Sequence, residues 1–345
     1  MVTAVKQPRS DFYLYPSVGQ EDWRYAFATA KVRALETEML SGTMLADMAK
    51  AASFEDAADY LSGGQYGLSD AGGDFGAVEG ILLRQRSAVR RLFCDLIMDD
   101  ELADLLRARD DFANLRLVLR RELTDNPIGT DYSSEGSVPA EYFEEVFEQE
   151  SYVGLPNFMQ EAIEKAVLAY YQDKDVRRID ISLDESHSDY RLGKAAELKS
   201  VFLTELFRMR IDLTNIIAML RLKFTDSQQQ DVFLRGGYVA QSTLRHSAEA
   251  DYDALPAVFY STPYYEMVES SVHYLVEKKS FLRVEYNRDC HINGYLDCTM
   301  QITAGPQPVI AYLLKKEQEI RMVRLILTAK RNGVDAGLIL DRTGG

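Results

Sequence analysis

The chain has 345 residues, of which 46% are hydrophobic, and its formal net charge is −15 because 54 acidic residues outnumber 39 basic ones. An acidic surface repels nucleic-acid phosphates and anionic lipid headgroups, which argues against nucleic-acid binding and favours basic or neutral protein partners. No apolar stretch approaches the roughly 20 residues needed to span a bilayer, and no secretory signal is visible. Three cysteines provide no disulfide framework. We therefore expect a soluble cytoplasmic protein without direct membrane insertion.

Apolar residues at helical spacing predict helices along most of the chain, and no segment predicts a stable sheet. In chain order, the predicted helices cover 25–40, parts of 77–106, 140–150, 157–171, 192–224, 264–289 and 309–331. Turn-forming residues predict a loop at 124–139, and the polar stretch 177–189 is interpreted as a connector. The sequence therefore predicts an all-α protein.

A polar motif occurs twice with the same internal spacing, as Asp111, Asn114 and Arg120 and again as Asp212, Asn215 and Arg221. Subtracting 111 from 212 gives a period of 101 residues. A fixed period indicates one supersecondary unit used several times. We interpret the chain as three related helical modules, residues 1–110, 111–211 and 212–345, with a closing C-terminal helix at about 320–342 that resembles a fourth, degenerate opening helix.

The repeated residues are interpreted as structural, holding the modules together. Asp111 and Asp212 are predicted to be helix N-terminal residues, where a carboxylate accepts hydrogen bonds from free N–H groups. Arg120 and Arg221 are expected to reach a carboxylate or a helix C-terminus in a neighbouring module. The last helix supplies the remaining candidates for packing between modules: Tyr312, Glu317, Glu319, Arg324 and Lys330.

Two clusters invite a metal-binding interpretation, and both are incomplete. The acidic segment 99–104 approaches the Asp-Asp-x-x-Asp segment of magnesium-dependent helical prenyl-diphosphate enzymes, but its spacing is off by one and no second segment accompanies it. Cys290, His291 and Cys298 lack a fourth zinc ligand. No phosphate-binding glycine loop or nucleophile elbow occurs. We expect no catalytic residue, cofactor or metal.

Five segments together resemble the C subunit of bacterial and archaeal V/A-type ATP synthases, the equivalent of the d subunit in eukaryotic V-ATPases. They are the N-terminal helix 25–40, the two motif segments 111–120 and 211–223, the linker Gly236-Gly237 followed by Leu244, and the closing helix 308–330. The closing helix, with Tyr312, Glu317, Glu319, Arg324 and Lys330, is the most specific match. The matches extend from about residue 24 to about residue 340.

The resemblance implies three helical modules around a pseudo-threefold axis, shaped like a funnel. It also implies a non-catalytic rotor subunit on the cytoplasmic face of the membrane proteolipid ring, with a cavity that receives the central shaft formed by the D and F subunits. A protein of this kind couples ATP chemistry to proton or sodium transport. Two other interpretations stay open: a free-standing helical repeat adaptor and, more remotely, a magnesium-dependent prenyl-diphosphate enzyme.

Overall fold

A computed structural model describes residues 15–67, 74–124, 132–149, 151–227 and 232–344. These residues form α-helices joined by short 3-10 helices and turns, and no strand occurs among them. The helices are α1 (Ala26–Glu36), α2 (Gly42–Lys50), α3 (Phe54–Asp59), α4 (Phe75–Leu96), α5 (Asp100–Thr124), α6 (Ala140–Glu148), α7 (Asn157–Asp173), α8 (Val176–Glu197), α9 (Val201–Phe224), α10 (Gln241–Glu249), α11 (Leu255–Phe259), α12 (Tyr265–Lys278), α13 (Leu282–Asp297), α14 (Pro306–Arg331) and α15 (Ala336–Thr343). The prediction of an all-α protein is confirmed.

Three local predictions were wrong. The polar segment 177–189 lies inside α8 and is not a connector. The predicted helix 192–224 is divided between α8 and α9 at Lys199, and the predicted helix 264–289 is divided between α12 and α13 at Lys279. Both lysines have left-handed backbone conformations, with φ of 53° and 52°, which end a helix. Of the predicted loop 124–139, residues 125–131 lie outside the described residues.

The chain divides into two compact units, and α5 to α10 belong to the first. Helices α7 and α8 pack against each other, and both pack against α5. The core of this unit is formed by apolar side chains of these helices and α6, including Phe112, Leu115, Phe143, Ile163 and Leu183. Within α8, Ile179 and Leu183 are fully buried although most neighbouring residues are polar. One apolar face is therefore enough to attach α8 to its neighbours.

The second unit combines the two ends of the chain, α1 to α4 with α11 to α15. One of its cores joins residues of α2 to α4, such as Met48, Phe54 and Leu82, to Ile320, Val323, Ile326 and Leu327 of α14 and Ile339 of α15. The final helices thus complete a core that the N-terminal segment only begins. Among the described residues, no helix has both the length and the apolar character required to cross a membrane.

Candidate functional site

The first copy of the motif places Asp111 in the middle of α5, fully buried. Its Oδ1 accepts hydrogen bonds from the backbone N–H groups of Ser137 (2.9 Å) and Val138 (3.1 Å), and its Oδ2 accepts one from the Ser137 hydroxyl (2.6 Å). Burial raises the pKa of Asp111, and the bonds from Ser137 and Val138 counteract part of that shift. One carboxylate thereby fixes the segment that leads into α6.

The second copy makes the same contacts. Asp212 is fully buried in the middle of α9 and accepts hydrogen bonds from the backbone N–H groups of Tyr238 (2.9 Å) and Val239 (3.0 Å). Its partners are 26 and 27 residues further along the chain, as they are for Asp111. The segment held by Asp212 leads into α10.

The asparagines hold the same two segments a few residues earlier. Asn114 donates to the Ser133 carbonyl (2.9 Å) and accepts from the Ser133 N–H (2.8 Å). Asn215 makes the same pair of bonds to Leu234, at 2.9 and 2.8 Å. We call Asp111 with Asn114 the α5 clamp and Asp212 with Asn215 the α9 clamp. Each clamp satisfies backbone N–H and C=O groups of a segment that lies outside the helices.

The prediction that Asp111 and Asp212 begin helices was wrong. Their helices begin 11 residues earlier, at Asp100 and Val201. A carboxylate inside a helix has no free N–H group of that helix to accept from, so it accepts from a different segment. The hydrogen-bond partners of both aspartates are therefore in other segments, not at the start of their own helices.

A third buried carboxylate, Glu319 of α14, holds the segment that leads into α2. It accepts hydrogen bonds from the Leu40 N–H (2.9 Å) and the Tyr66 hydroxyl (2.6 Å), and it pairs with Lys316 (2.5 Å). Two causes raise the pKa of the Tyr66 hydroxyl: mainly its burial and, second, the nearby Glu319 carboxylate. The hydroxyl therefore keeps its proton and stays a donor. We call Glu319 with Lys316 and Tyr66 the α14 clamp.

The three clamps act at the same point of their segments. Leu40, Val138 and Val239 each donate a backbone N–H, and each lies two residues before the next short helix, α2, α6 or α10. In each case a long helix, α14, α5 or α9, supplies the carboxylate. The long helix α14 therefore holds the segment before α2 in the same way as α5 and α9 hold the segments before α6 and α10.

The other predicted residues of α14 contact N-terminal helices. Glu317 pairs with Arg90 of α4 (2.6 Å) where both side chains are largely buried, and Arg324 pairs with Glu79 of α4 (2.7 Å). Lys330 donates to the Ala51 carbonyl at the end of α2 (2.7 Å). Tyr312 is buried, and that burial raises its pKa to about 12.

The two repeated arginines differ. Arg120 forms an ion pair with Asp180 of α8, and its Nε lies 3.0 Å from Oδ1 of that carboxylate. Arg221 is exposed near the end of α9. The structure therefore brings Asp111 and Asn114 together at one segment and Asp212 and Asn215 together at another. Arg120 contacts α8 instead, and Arg221 lies on the surface of its helix.

Sequence reasoning missed one part of each clamp. A Gly-x-Val segment follows each aspartate at the same distance, as Gly136 and Val138 and again as Gly237 and Val239. This repeat has the same 101-residue period as the aspartates and was available as a signal. Tyr66 and Arg90, the partners of Glu319 and Glu317, had no such signal because α14 contacts them from more than 220 positions away.

The residues of the two incomplete metal clusters make other contacts. Glu101 pairs with Lys194 (2.7 Å), and Asp104 lies 3.5 Å from Arg107. The cysteines Cys290 and Cys298 are free thiols. Within the described ranges, no group of three or more His, Cys, Asp or Glu side chains has an arrangement that would hold a metal ion.

Comparison with known proteins gives one consistent result. The family model described as ATP synthase (C/AC39) subunit matches residues 28–342. The chain is similar to the C subunit of the V-type sodium ATPase of Enterococcus hirae, with 22% identity covering 87% of this chain and 92% of that protein. It is also similar to the C subunits of the V-type ATP synthase of Thermus thermophilus (24% identity, 89% and 94%) and of the A-type ATP synthase of Desulfurococcus sp. strain SY (23%, 93% and 90%).

Proposed function

Because the chain belongs to the ATP synthase (C/AC39) subunit family, we propose that it is a non-catalytic rotor subunit of a V/A-type ATPase. In this role it couples the rotating central shaft, made of D- and F-type subunits, to the membrane proteolipid ring, and so links ATP chemistry to proton or sodium transport. The observation that carries the proposal is the match over residues 28–342, nearly the whole chain. The Enterococcus, Thermus and Desulfurococcus relatives all bear the name of the C subunit.

The proposal includes three related modules, arranged as a funnel around a pseudo-threefold axis with boundaries near Asp111 and Asp212. The three clamps support it, since each joins a long helix to the segment before the next short helix. In this division α14 belongs to the third module as a degenerate fourth opening helix, and it closes the ring by packing against the first module. A socket for a rotating shaft must be stiff, and packed helices with buried polar clamps provide that stiffness.

The charge of the chain supports a protein partner of opposite charge. With a net charge of −15, the protein attracts a basic shaft tip over a distance comparable to the Debye length, about 8–10 Å at physiological salt. Attraction of this kind accelerates association more than it increases affinity. It also disfavours seating on anionic lipid, so we place the protein on the cytoplasmic face of the membrane through contacts with the proteolipid ring.

The proposal is tested by purifying the tagged protein from native membranes and identifying its partners by mass spectrometry. We expect central-shaft subunits and the proteolipid to co-purify, with no ATP hydrolysis or magnesium-dependent diphosphate release by the isolated protein. Recovery of unrelated soluble partners alone would favour the helical adaptor. Diphosphate release by the isolated protein would favour the prenyl-diphosphate enzyme.

A further inference from the structure

A groove of about 530 Å³ opens beside α12 and α13 in the unit that contains both chain ends. Its lining combines aromatic faces, polar groups and one carboxylate and includes Tyr15, Tyr265, Glu266, Asn287, Cys290 and His291. None of these residues takes part in a clamp. The groove therefore has no role in the clamp contacts.

His291 lines this groove, and one of its ring nitrogens is buried. Its ring lies 5.2 Å from the ring of Tyr15 and 5.1 Å from the ring of Tyr264, measured between centroids. Its Nε2 is buried and makes no hydrogen bond with any described residue. Burial lowers the pKa of His291 to about 4, so the ring is neutral at physiological pH and can offer Nε2 as an acceptor.

Two other groups that line the groove are also acceptors. The Asn287 amide nitrogen donates to the hydroxyls of Ser270 (3.2 Å) and Ser271 (3.1 Å), which leaves its carbonyl oxygen as the group available to a ligand. The exposed carboxylate of Glu266 forms no ion pair or hydrogen bond within the described part of the chain. The groove thus offers a carboxylate and an amide oxygen beside aromatic rings, a set that favours a ligand rich in donors.

The aromatic walls are held in place. Tyr15 lies against α13 at Gly294, where a β-carbon would be 2.1 Å from the Tyr15 hydroxyl oxygen, so only glycine permits this position. Tyr265 donates its hydroxyl to Glu269 (2.8 Å) and packs edge-on against Tyr260, with centroids 5.4 Å apart. Tyrosine faces fixed beside a carboxylate attract cations.

We propose that this groove binds the guanidinium group of an arginine on a protein partner. A guanidinium is planar and positively charged and carries five N–H donors, so it can stack on a tyrosine while donating to Glu266 and Asn287. A lysine ammonium brings the charge without the planar surface or the spread of donors. The inference goes beyond the proposed rotor function and does not depend on it.

Cys290 provides a local reporter, because its exposed thiol lines the groove. The full chain is treated with N-ethylmaleimide in the presence of a short arginine peptide, and alkylation at each cysteine is followed by peptide mass spectrometry. Matched peptides carry citrulline, which has the same shape without the charge, or lysine. We expect the arginine peptide to slow alkylation of Cys290 and to leave Cys94, which is outside the groove lining, unchanged.

Two variants of α12 make the test specific. Glu266→Gln removes the carboxylate of the groove and should raise the peptide concentration needed for half-protection about fivefold. Glu277→Gln removes an exposed carboxylate of the same helix that does not line the groove, and it should leave that concentration unchanged. Three results would overturn the proposal: no protection by the arginine peptide, equal protection by the citrulline or lysine peptide, or equal half-protection in Glu266→Gln.

Discussion

Gly136 lies against the carboxylate of Asp111 so closely that a β-carbon at residue 136 would be 2.2 Å from Oδ1. The second copy has the same relationship, since a β-carbon at Gly237 would be 2.1 Å from Oδ1 of Asp212. Neither glycine has positive φ, so backbone strain does not explain the residue type. Glycine is required at both sites because the carboxylate occupies the space of a side chain.

Replacing Gly136 or Gly237 by alanine should therefore displace the clamp carboxylate. We expect a loss of roughly 2–4 kcal/mol in the free energy of unfolding, since hydrogen bonds to a buried acceptor are lost and the site is overpacked. Gly193→Ala is the matched control, because Gly193 lies inside α8 with open space at its β-position. It should stabilise the protein by up to about 1 kcal/mol. Equal losses in thermal unfolding for all three variants would contradict this account.

Asn215 of the α9 clamp gives a second prediction. Asn215→Ala should destabilise the protein by about 1–3 kcal/mol, because the N–H and C=O of the buried Leu234 lose their only side-chain partner in the described structure. Arg221→Ala should destabilise the protein less than Asn215→Ala does, since Arg221 is exposed. Denaturant titration of both variants measures the difference, and a larger effect at Arg221 would be inconsistent with the clamp.

The pKa of Asp111 predicts a dependence on pH. Burial raises it above the ordinary value of 3.8, so the folded protein holds this proton more tightly than the unfolded chain does. The contribution of Asp111 to stability is therefore fully present below 3.8 and decreases as pH rises through the raised value. Asp111→Asn keeps an oxygen for the N–H groups of Ser137 and Val138 and does not ionise.

We therefore expect Asp111→Asn to lack this decrease and Asp111→Ala to be less stable than both at every pH. Thermal melting across an acidic to neutral pH series makes the comparison. A steeper decrease in Asp111→Asn than in the unmodified protein would show that the sign is wrong.

His187 predicts the opposite behaviour at acid pH. Its ring is stacked on Phe112, with ring centroids 4.6 Å apart. Burial is the main cause that lowers its pKa well below 6.5, and the charge of Arg191 is the second. Below pH 6.5 the unfolded chain binds a proton on this histidine that the folded protein does not bind. The contribution of His187 to stability is therefore fully present above pH 6.5 and is lost as pH falls below that value. The slope from one such group reaches about 1.4 kcal/mol per pH unit.

His187→Phe preserves a ring for the stack and removes the titration, so its stability should depend less on pH below 6.5. His273→Gln is the control, since it removes a histidine whose side chain is 85% exposed. If His187→Phe and the unmodified protein show the same acid slope in urea unfolding, another group causes the loss.

Truncation tests the contribution of the chain end to the N-terminal core. Removing residues 320–345 deletes Ile320, Val323, Ile326, Leu327 and Ile339 from that core. Burial of each such side chain is worth about 1.5–3 kcal/mol, and the total for the five is comparable to the whole stability of a typical domain, so the longer truncation should prevent stable folding of this core. Removing only residues 332–345 deletes Ile339 and the partly buried Leu340 from this core and should lower the melting temperature moderately. Unchanged melting after the longer truncation would exclude a core role for α14.

The clamp residues could be found from the sequence more readily than their hydrogen-bond partners. A period of 101 residues identified Asp111, Asn114 and their copies, because identical spacing is visible without coordinates. Their hydrogen-bond partners lie 19 to 27 residues away in segments without regular structure, and the repeated Gly-x-Val marks where those segments are without showing that they contact the motif. For Glu319 the partner Leu40 is 279 residues away, so only the fold brings the two together.

The helix predictions failed where the residue types did not show the conformation of the backbone. In α8, only Ile179, Leu183, Ser186, Ser188 and Ala195 are buried, so the helical face was too sparse to recognise within a polar segment. The breaks at Lys199 and Lys279 were missed because left-handed helix ends usually carry glycine or asparagine, and lysine gives no such signal.

The rotor proposal is tested most directly by measuring coupling in membranes. Vesicles prepared from cells that lack this protein, with the rest of the ATPase present, are assayed for ATP hydrolysis and for ATP-driven ion uptake, before and after the purified protein is added. The account predicts that ion uptake is absent without the protein and returns when it is added, while the ATPase sites themselves stay active. Ion uptake at the normal rate in vesicles without the protein would contradict it.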